Sequence, residues 1–157
     1  MTRVDFYILS AGGSQHRAVF ACRLAEKAVG HGMSTYIHTA GPSETSRMDD
    51  LLWTYRDGSF LAHLTIEDAE RSDPEGRTPV LLGHGESPGN QEGLLINMST
   101  EVPTFFSRFS RVAEIVAGDD DGPRGIERDS PGTVTELGQR LGRGIEPEDH
   151  PALVFAQ

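Results

Sequence analysis

The sequence predicts an α/β fold with a mostly parallel sheet and helices on both faces, and three observations carry that prediction. Short, continuous β-prone runs such as Val4 to Leu9, Pro79 to Leu82 and Leu94 to Met98 recur as far as Val116. Runs without polar alternation mark strands covered on both sides. Between several of them lie segments whose apolar residues repeat every three or four positions, the period of a helix with one buried stripe. Glycine, serine and proline punctuate the boundaries. Strands that alternate with helices are joined by crossovers, which make neighbouring strands parallel.

Taken in order, Val4 to Leu9 is the first predicted strand. Gly12-Gly13 breaks it, and Ser14 is placed to cap the helix that follows. Ala18, Ala21, Cys22, Ala25 and Ala28 give that helix a flat face of small side chains, suited to lying close on a sheet. Gly30 and Gly32 end it, and Thr35 to Thr39 reads as the second strand. Ser43 is the expected cap of a second helix with Met48, Leu51, Leu52 and Tyr55 at i, i+3, i+4 and i+7, stopped by Gly58. Phe60 to Leu64 reads as a short strand, and the polar stretch Thr65 to Thr78, with Pro74 and Gly76, as a solvated loop. Two apolar strands, Pro79 to Leu82 and Leu94 to Met98, flank a turn-rich segment. Pro103 to Phe109 reads as a helical turn with its aromatic rings inside, and Val112 to Val116 as the last strand. Residues 1–118 thus form one predicted core. Residues 119–132, opening on Asp119-Asp120-Asp121-Gly122-Pro123, read as an acidic Gly/Pro linker. Residues 133–157 read as a short helix weakened by Gly138 and a tail.

Composition narrows the function. At 157 residues the chain has room for one domain with a real core. A net charge of −10 sets the bulk surface against nucleic acid and argues against tight, sequence-independent phosphate binding. Lys27 is the sole lysine, so the positive charge is almost all arginine, which suits bidentate capture of individual carboxylates. This balance points to a protein partner. The single cysteine, Cys22, excludes an intrachain disulfide and a Cys-based zinc site. The first apolar run is too short for a signal peptide, and no stretch approaches the roughly 20 apolar residues of a membrane span. The chain reads as cytoplasmic.

Candidate chemistry is sparse. Gly12-Gly13-Ser14, between strand and helix, can hold a phosphate on helix N-terminal amides, which gives an alternative reading as a mononucleotide- or phosphate-binding protein. It matches neither the three-glycine dinucleotide fingerprint nor a P-loop, and a tight turn is the plain reading. Gly83-His84-Gly85-Glu86 places a histidine and a carboxylate after a strand, suitable for a general base and its orienting group. Ser10, Ser14 and Ser59 lack the setting of a nucleophile, so a surface-loop histidine is the plain reading. No metal, cofactor or catalytic residue is expected. Trp53 and Phe60 are more informative. Core burial is the default for such rings, yet aromatics at a helix end with arginine nearby also make an anchor pocket for a peptide.

Several strings are collinear with a known family: Val4-Asp5-Phe6-Tyr7-Ile8-Leu9, Ala21-Cys22-Arg23-Leu24-Ala25-Glu26-Lys27-Ala28, Tyr36-Ile37-His38-Thr39-Ala40 and Asp49-Asp50-Leu51-Leu52-Trp53-Thr54. Pro79-Val80-Leu81-Leu82-Gly83, Leu94-Leu95-Ile96-Asn97 and Phe105-Phe106-Ser107-Arg108-Phe109 continue the set. In order and spacing the chain resembles the chi subunit of bacterial DNA polymerase III. The resemblance implies a single Rossmann-like domain without catalytic activity, joined to the psi subunit and through it to the clamp loader. It also implies binding of the acidic, Phe-ended C-terminal tail of single-stranded DNA-binding protein, with any DNA contact indirect. Trp53, Phe60 and Val116 match positions in or near the family's tail pocket. The C-terminus departs from the family: Arg143-Gly144-Ile145 fits its final turn, but the preceding basic, tyrosine-containing helix is altered. Arg140 and Arg143 stand as substitutes for its cations.

Overall fold

Among the described residues, six strands form one sheet in the order β1-β6-β5-β2-β4-β3, and every neighbouring pair is parallel. The computed structural model describes residues 2–9, 14–85 and 88–117. Along the chain these are β1 (Arg3–Leu9), α1 (Ser14–Gly30), β2 (Thr35–His38), α2 (Pro42–Thr54), β3 (His63–Thr65), α3 (Ile66–Ser72), β4 (Val80–Gly83), β5 (Leu94–Asn97) and β6 (Arg111–Ala117). A 3-10 turn, Phe106–Arg108, precedes β6. β1 and β2 are not neighbours: β6 and β5 lie between them, with α1 packed over β6, β5 and β2.

Three expectations need correction. The stretch expected as a solvated loop contains α3, which caps itself. Thr65 Oγ1 accepts from the Asp68 amide at 3.2 Å, and Thr65 donates back to the Asp68 carboxylate at 3.0 Å. That reciprocal cap offsets the polar composition of a helix barely two turns long. The cap of α2 is Gly41 rather than Ser43, because Pro42, with no amide to satisfy, takes the first helical position. The Glu44 side chain reaches back to the Ala40 amide at 3.0 Å. β3 is confined to His63–Thr65, so Phe60 precedes the strand instead of opening it.

The parallel registers line up side chains in rows that cross the whole sheet. Leu64, Leu81, Tyr36, Leu95, Val112 and Val4 occupy one row, all in the same apolar cluster. Phe105, Phe109 and Ala69 of α3 cover that row. One residue along, Leu82, Ile37, Ile96 and Ala113 point to the other face, against Phe20, Leu24, Met48 and Leu52 of α1 and α2. The small face of α1 behaves as its sequence implies: Ala21, Cys22, Ala25 and Ala28 are all fully buried. Burial also pushes the Cys22 thiol up to about 12, so it acts as a packing group rather than a nucleophile.

Buried carboxylates on the first and last strands, Asp5 of β1 and Glu114 of β6, are built into the apolar body. Asp5, buried on β1, accepts from Arg3 Nε at 3.1 Å on one oxygen and from the Arg111 guanidinium on the other. This clamp joins the first strand to the last. Glu114 on β6 lies in the next row with Asn97, His38 and Gly83. Asn97 Nδ2 donates to both Glu114 oxygens at 3.0 and 3.2 Å, and to the Glu101 carbonyl at 3.0 Å. Burial pushes the Glu114 carboxyl up to about 8, against the opposing pull of the Asn97 bond and the Arg17 charge.

Asp5→Ala removes the buried carboxylate that Arg3 and Arg111 share and should cost about 3–5 kcal/mol, the usual penalty for breaking a buried pair; equilibrium urea unfolding measures it. A raised carboxyl makes the folded chain hold a proton that the unfolded chain releases. The Glu114 contribution is therefore fully present below about pH 4.5 and falls away as pH rises towards about 8. Glu114→Gln should remove that slope, leaving the variant more stable than the parent at pH 8.5 and little changed at pH 5 in thermal melts. His38, whose burial disfavours its charged form, acts oppositely and weakens the fold as pH falls below the ordinary histidine range.

Candidate functional site

Leu52 occupies the buried stripe of α2, so Trp53, one residue on and roughly 100° around the helix, turns off that stripe. α2 ends at Thr54, and the chain turns back through Gly58, whose φ of 74° is a conformation suited to glycine. The turn delivers Phe60 beside the indole, with ring centroids 5.7 Å apart. Against the default for aromatic residues, both rings face outward: Trp53 is 50% exposed and Phe60 78%. An apolar pair this open is the feature expected of a docking site.

Side chains from elsewhere in the chain hold the pair in place. Glu26 of α1 accepts from the Tyr55 hydroxyl at 2.6 Å and pairs with Arg56; Ser59 Oγ donates to Tyr55 at 2.9 Å. Burial, and then the bond to Glu26, pushes the Tyr55 phenol up to about 12. The turn carrying Phe60 is thereby tied to the body of the protein. On the other side, the Trp53 ring lies 4.6 Å from that of buried His63. His63 Nδ1 meets the Leu61 carbonyl at 2.6 Å, and Nε2 meets the Asp49 carbonyl at 3.2 Å and carboxylate at 3.3 Å. The charge around the rings is acidic. Asp50 and Asp57 are exposed, Asp49 is partly so, and Arg56 is engaged by Glu26.

The remaining candidates lie elsewhere. Val116 sits on β6, paired with Ile8 of β1, on the face opposite α1 and α2. β6 is four strand positions from β3, about 19 Å at the usual spacing. Val116 therefore shares no surface with Trp53 and Phe60. Ile8, 38% exposed, and half-buried Phe6 accompany it. Arg140 and Arg143, the Gly12-Gly13 turn, Glu86, the predicted linker and the C-terminal helix fall outside the described residues. His84 is exposed, and its Nδ1 lies 3.0 Å from Thr45 Oγ1, which is itself bonded to Thr39 and the Gly41 carbonyl. The arrangement braces the ends of β2, α2 and β4. His84 and His38 also border a cleft of about 390 Å³ at the carboxyl ends of β2, β4 and β5.

Sequence reasoning found the two rings but not the layer beneath them. His63 and Glu26 carry no spacing signal, because one lies behind the indole only after the chain has turned back and the other comes from α1. Among the described residues, no group of three or more His, Cys, Asp or Glu side chains is arranged to hold a metal ion. No described helix is long and apolar enough to cross a membrane.

Known proteins are similar to this sequence. Residues 1–139 match the family described as DNA polymerase III chi subunit, HolC. A Pseudomonas aeruginosa protein, DNA polymerase III subunit chi, is 48% identical over 117 residues, covering 74% of this chain and 78% of that protein. The Haemophilus influenzae protein of the same description is 26% identical with the same coverage. The α/β sheet, the collinear strings and this match agree, and the chain belongs to the DNA polymerase III chi subunit family.

Proposed function

We propose that the chain is a non-catalytic adapter of DNA polymerase III, joining the psi subunit to the acidic C-terminal tail of single-stranded DNA-binding protein. Family membership supports the setting, a replication accessory subunit. The outward-facing Trp53–Phe60 pair is the observation that carries the adapter role, because two large rings held open by a dedicated network need a partner to cover them.

Bridging two partners takes two surfaces, and the described candidates fall into two. The aromatic pair, with Asp49 and Asp50 on the preceding turn of α2 and Asp57 in the turn that follows, is set against an acidic peptide and suits an apolar segment with neutral or basic flanks. We assign it to psi. The Val116 ledge with Ile8 and Phe6 lies near Arg17, whose Nε donates to the Ile115 carbonyl at 3.1 Å. There an acidic tail meets an apolar shelf for its terminal ring and arginine for its carboxylates. Arg140 and Arg143 are the further cations this reading assigns to the tail.

Two substitutions separate the surfaces. Phe60→Ala should weaken capture of purified psi at least about tenfold, the usual cost of removing an interface anchor, while a labelled acidic peptide ending in Pro-Phe binds as before. Val116→Asp should do the reverse, read by fluorescence anisotropy for the peptide and pull-down for psi. Loss of peptide binding in Phe60→Ala alone would return the tail to the aromatic pair. If neither variant changes either partner, the adapter reading fails.

A further inference from the structure

β1 forms one edge of the sheet, and its outer side is open among the described residues. Backbone groups along a strand point alternately to its two sides. Because the Arg3 amide donates to the Ser110 carbonyl at 3.0 Å, Arg3, Asp5, Tyr7 and Leu9 bond to β6. Val4, Phe6 and Ile8 therefore turn their amides and carbonyls away from it. Their side chains share the face opposite α1, where Val4 and Phe6 are half-buried and Ile8 is 38% exposed. Unpaired backbone and open apolar side chains thus coincide on the same residues.

Edge strands are ordinarily guarded by proline, lysine, a bulge or a very short length. β1 runs for seven residues, contains neither proline nor lysine, and keeps an unbroken register with β6. Its one carboxylate, Asp5, is turned to the other face and held by Arg3 and Arg111. α1 packs over β6, β5 and β2, inward of this edge.

We propose that this edge pairs with a second copy of the chain: the two β1 strands run antiparallel about a twofold axis at Phe6 and join the sheets into one. In that register Phe6 faces Phe6, and Val4 faces Ile8 of the second copy. Every outward amide and carbonyl of the three residues then finds a partner. The facing apolar side chains cover one another on the open face. An axis at Asp5 would engage only Val4 and Phe6 and set two carboxylates opposite each other; an axis at Tyr7 would engage only Phe6 and Ile8. Three residues a side is small against the roughly 20–30 of a stable interface, and each copy carries a net charge of −10. The pairing is therefore weak, and salt strengthens it by screening that repulsion. Phe6 and Ile8 also belong to the ledge assigned to the acidic tail, so a second copy and the tail exclude each other. That competition rests on the tail reading; the self-pairing does not.

Sedimentation equilibrium of the full chain should show an average mass rising from 17.1 kDa towards twice that value in the high-micromolar range, and rising further in high salt. Ile8→Lys, at an exposed position, should hold the mass at one chain. Phe6→Cys should link two copies covalently under mild oxidation, since facing residues in this register lie about 5.5 Å apart between Cα atoms, within disulfide reach. Val4→Cys should link far more slowly, because it faces Ile8; Cys22 is buried and gives no background. A parent that stays at one chain, whether residues 118–157 cover the edge or nothing does, overturns the proposal. So does association that survives in a folded Ile8→Lys, while Val4→Cys linking as fast as Phe6→Cys overturns the register. If circular dichroism shows Ile8→Lys unfolded, the two cysteine variants decide. Adding the labelled acidic peptide that ends in Pro-Phe should return the parent to single-chain mass. Peptide that binds without dissociating the pair overturns the competition alone. Peptide that fails to bind overturns the tail reading, and the mass still reports self-pairing.

Discussion

The pairing of the first strand with the last is the contact on which the rest of the structure depends. β6 enters between β1 and β5, and without it β1 has no neighbour and α1 no floor on that side. The partners are more than a hundred residues apart in sequence, so the contact carries the loop-closure cost that makes parallel sheets slow to assemble. Asp5, held between Arg3 and Arg111, sets the register at this seam. A slip of β1 by one residue would carry Asp5 to the opposite face, away from the Arg111 side chain, and turn Tyr7 and Leu9 out of their side of the core as well. Charge thus specifies an alignment that two interchangeable apolar strands would leave loosely determined.

From that register follow the rows that give the sheet its two characters. The row from Leu64 to Val4 is apolar throughout and lies under Phe105 and Phe109. The next row on the same face, nearer the strand ends, is polar: His38, Asn97 and Glu114 side by side. Asn97 spends its amide on Glu114 and the Glu101 carbonyl, and its oxygen accepts from the Ser99 amide at 3.1 Å, so the row also fixes the loop that leaves β5. The apolar row supplies cohesion, and the polar row shapes the carboxyl end of the sheet.

How much of this was legible in the sequence depends on whether the cause was local. Val80–Gly83 and Leu94–Asn97 announce themselves because strands buried on both faces cannot hide their composition. α1 is legible from its alanines. α3 was missed because its residues are polar and its evidence is a four-residue cap, Thr65 to Asp68, rather than an apolar stripe. Trp53 and Phe60 were legible as a pair, but their exposure was not. It depends on where α2 stops and on a turn held by Glu26, 29 residues before Tyr55. Nor did the separation of Val116 from the rings show in the chain order, since it follows from β6 lying four strand positions from β3.

On the proposed reading of the chain as an adapter, that separation matters. Two ligands that share one patch compete, and a chain carrying them there could hold one or the other but not bridge them. Surfaces on opposite faces and at opposite ends of a rigid sheet are free of that conflict. On the proposed reading they also keep an acidic tail away from Asp49, Asp50 and Asp57. A net charge of −10 is then compatible with binding an acidic peptide, because screening beyond about 8 Å at physiological salt leaves the local arginines to decide the contact. The same local acidity gives the aromatic surface its character, since Asp49 repels anions there while its carboxylate lies 3.3 Å from Nε2 of His63, the ring beneath Trp53.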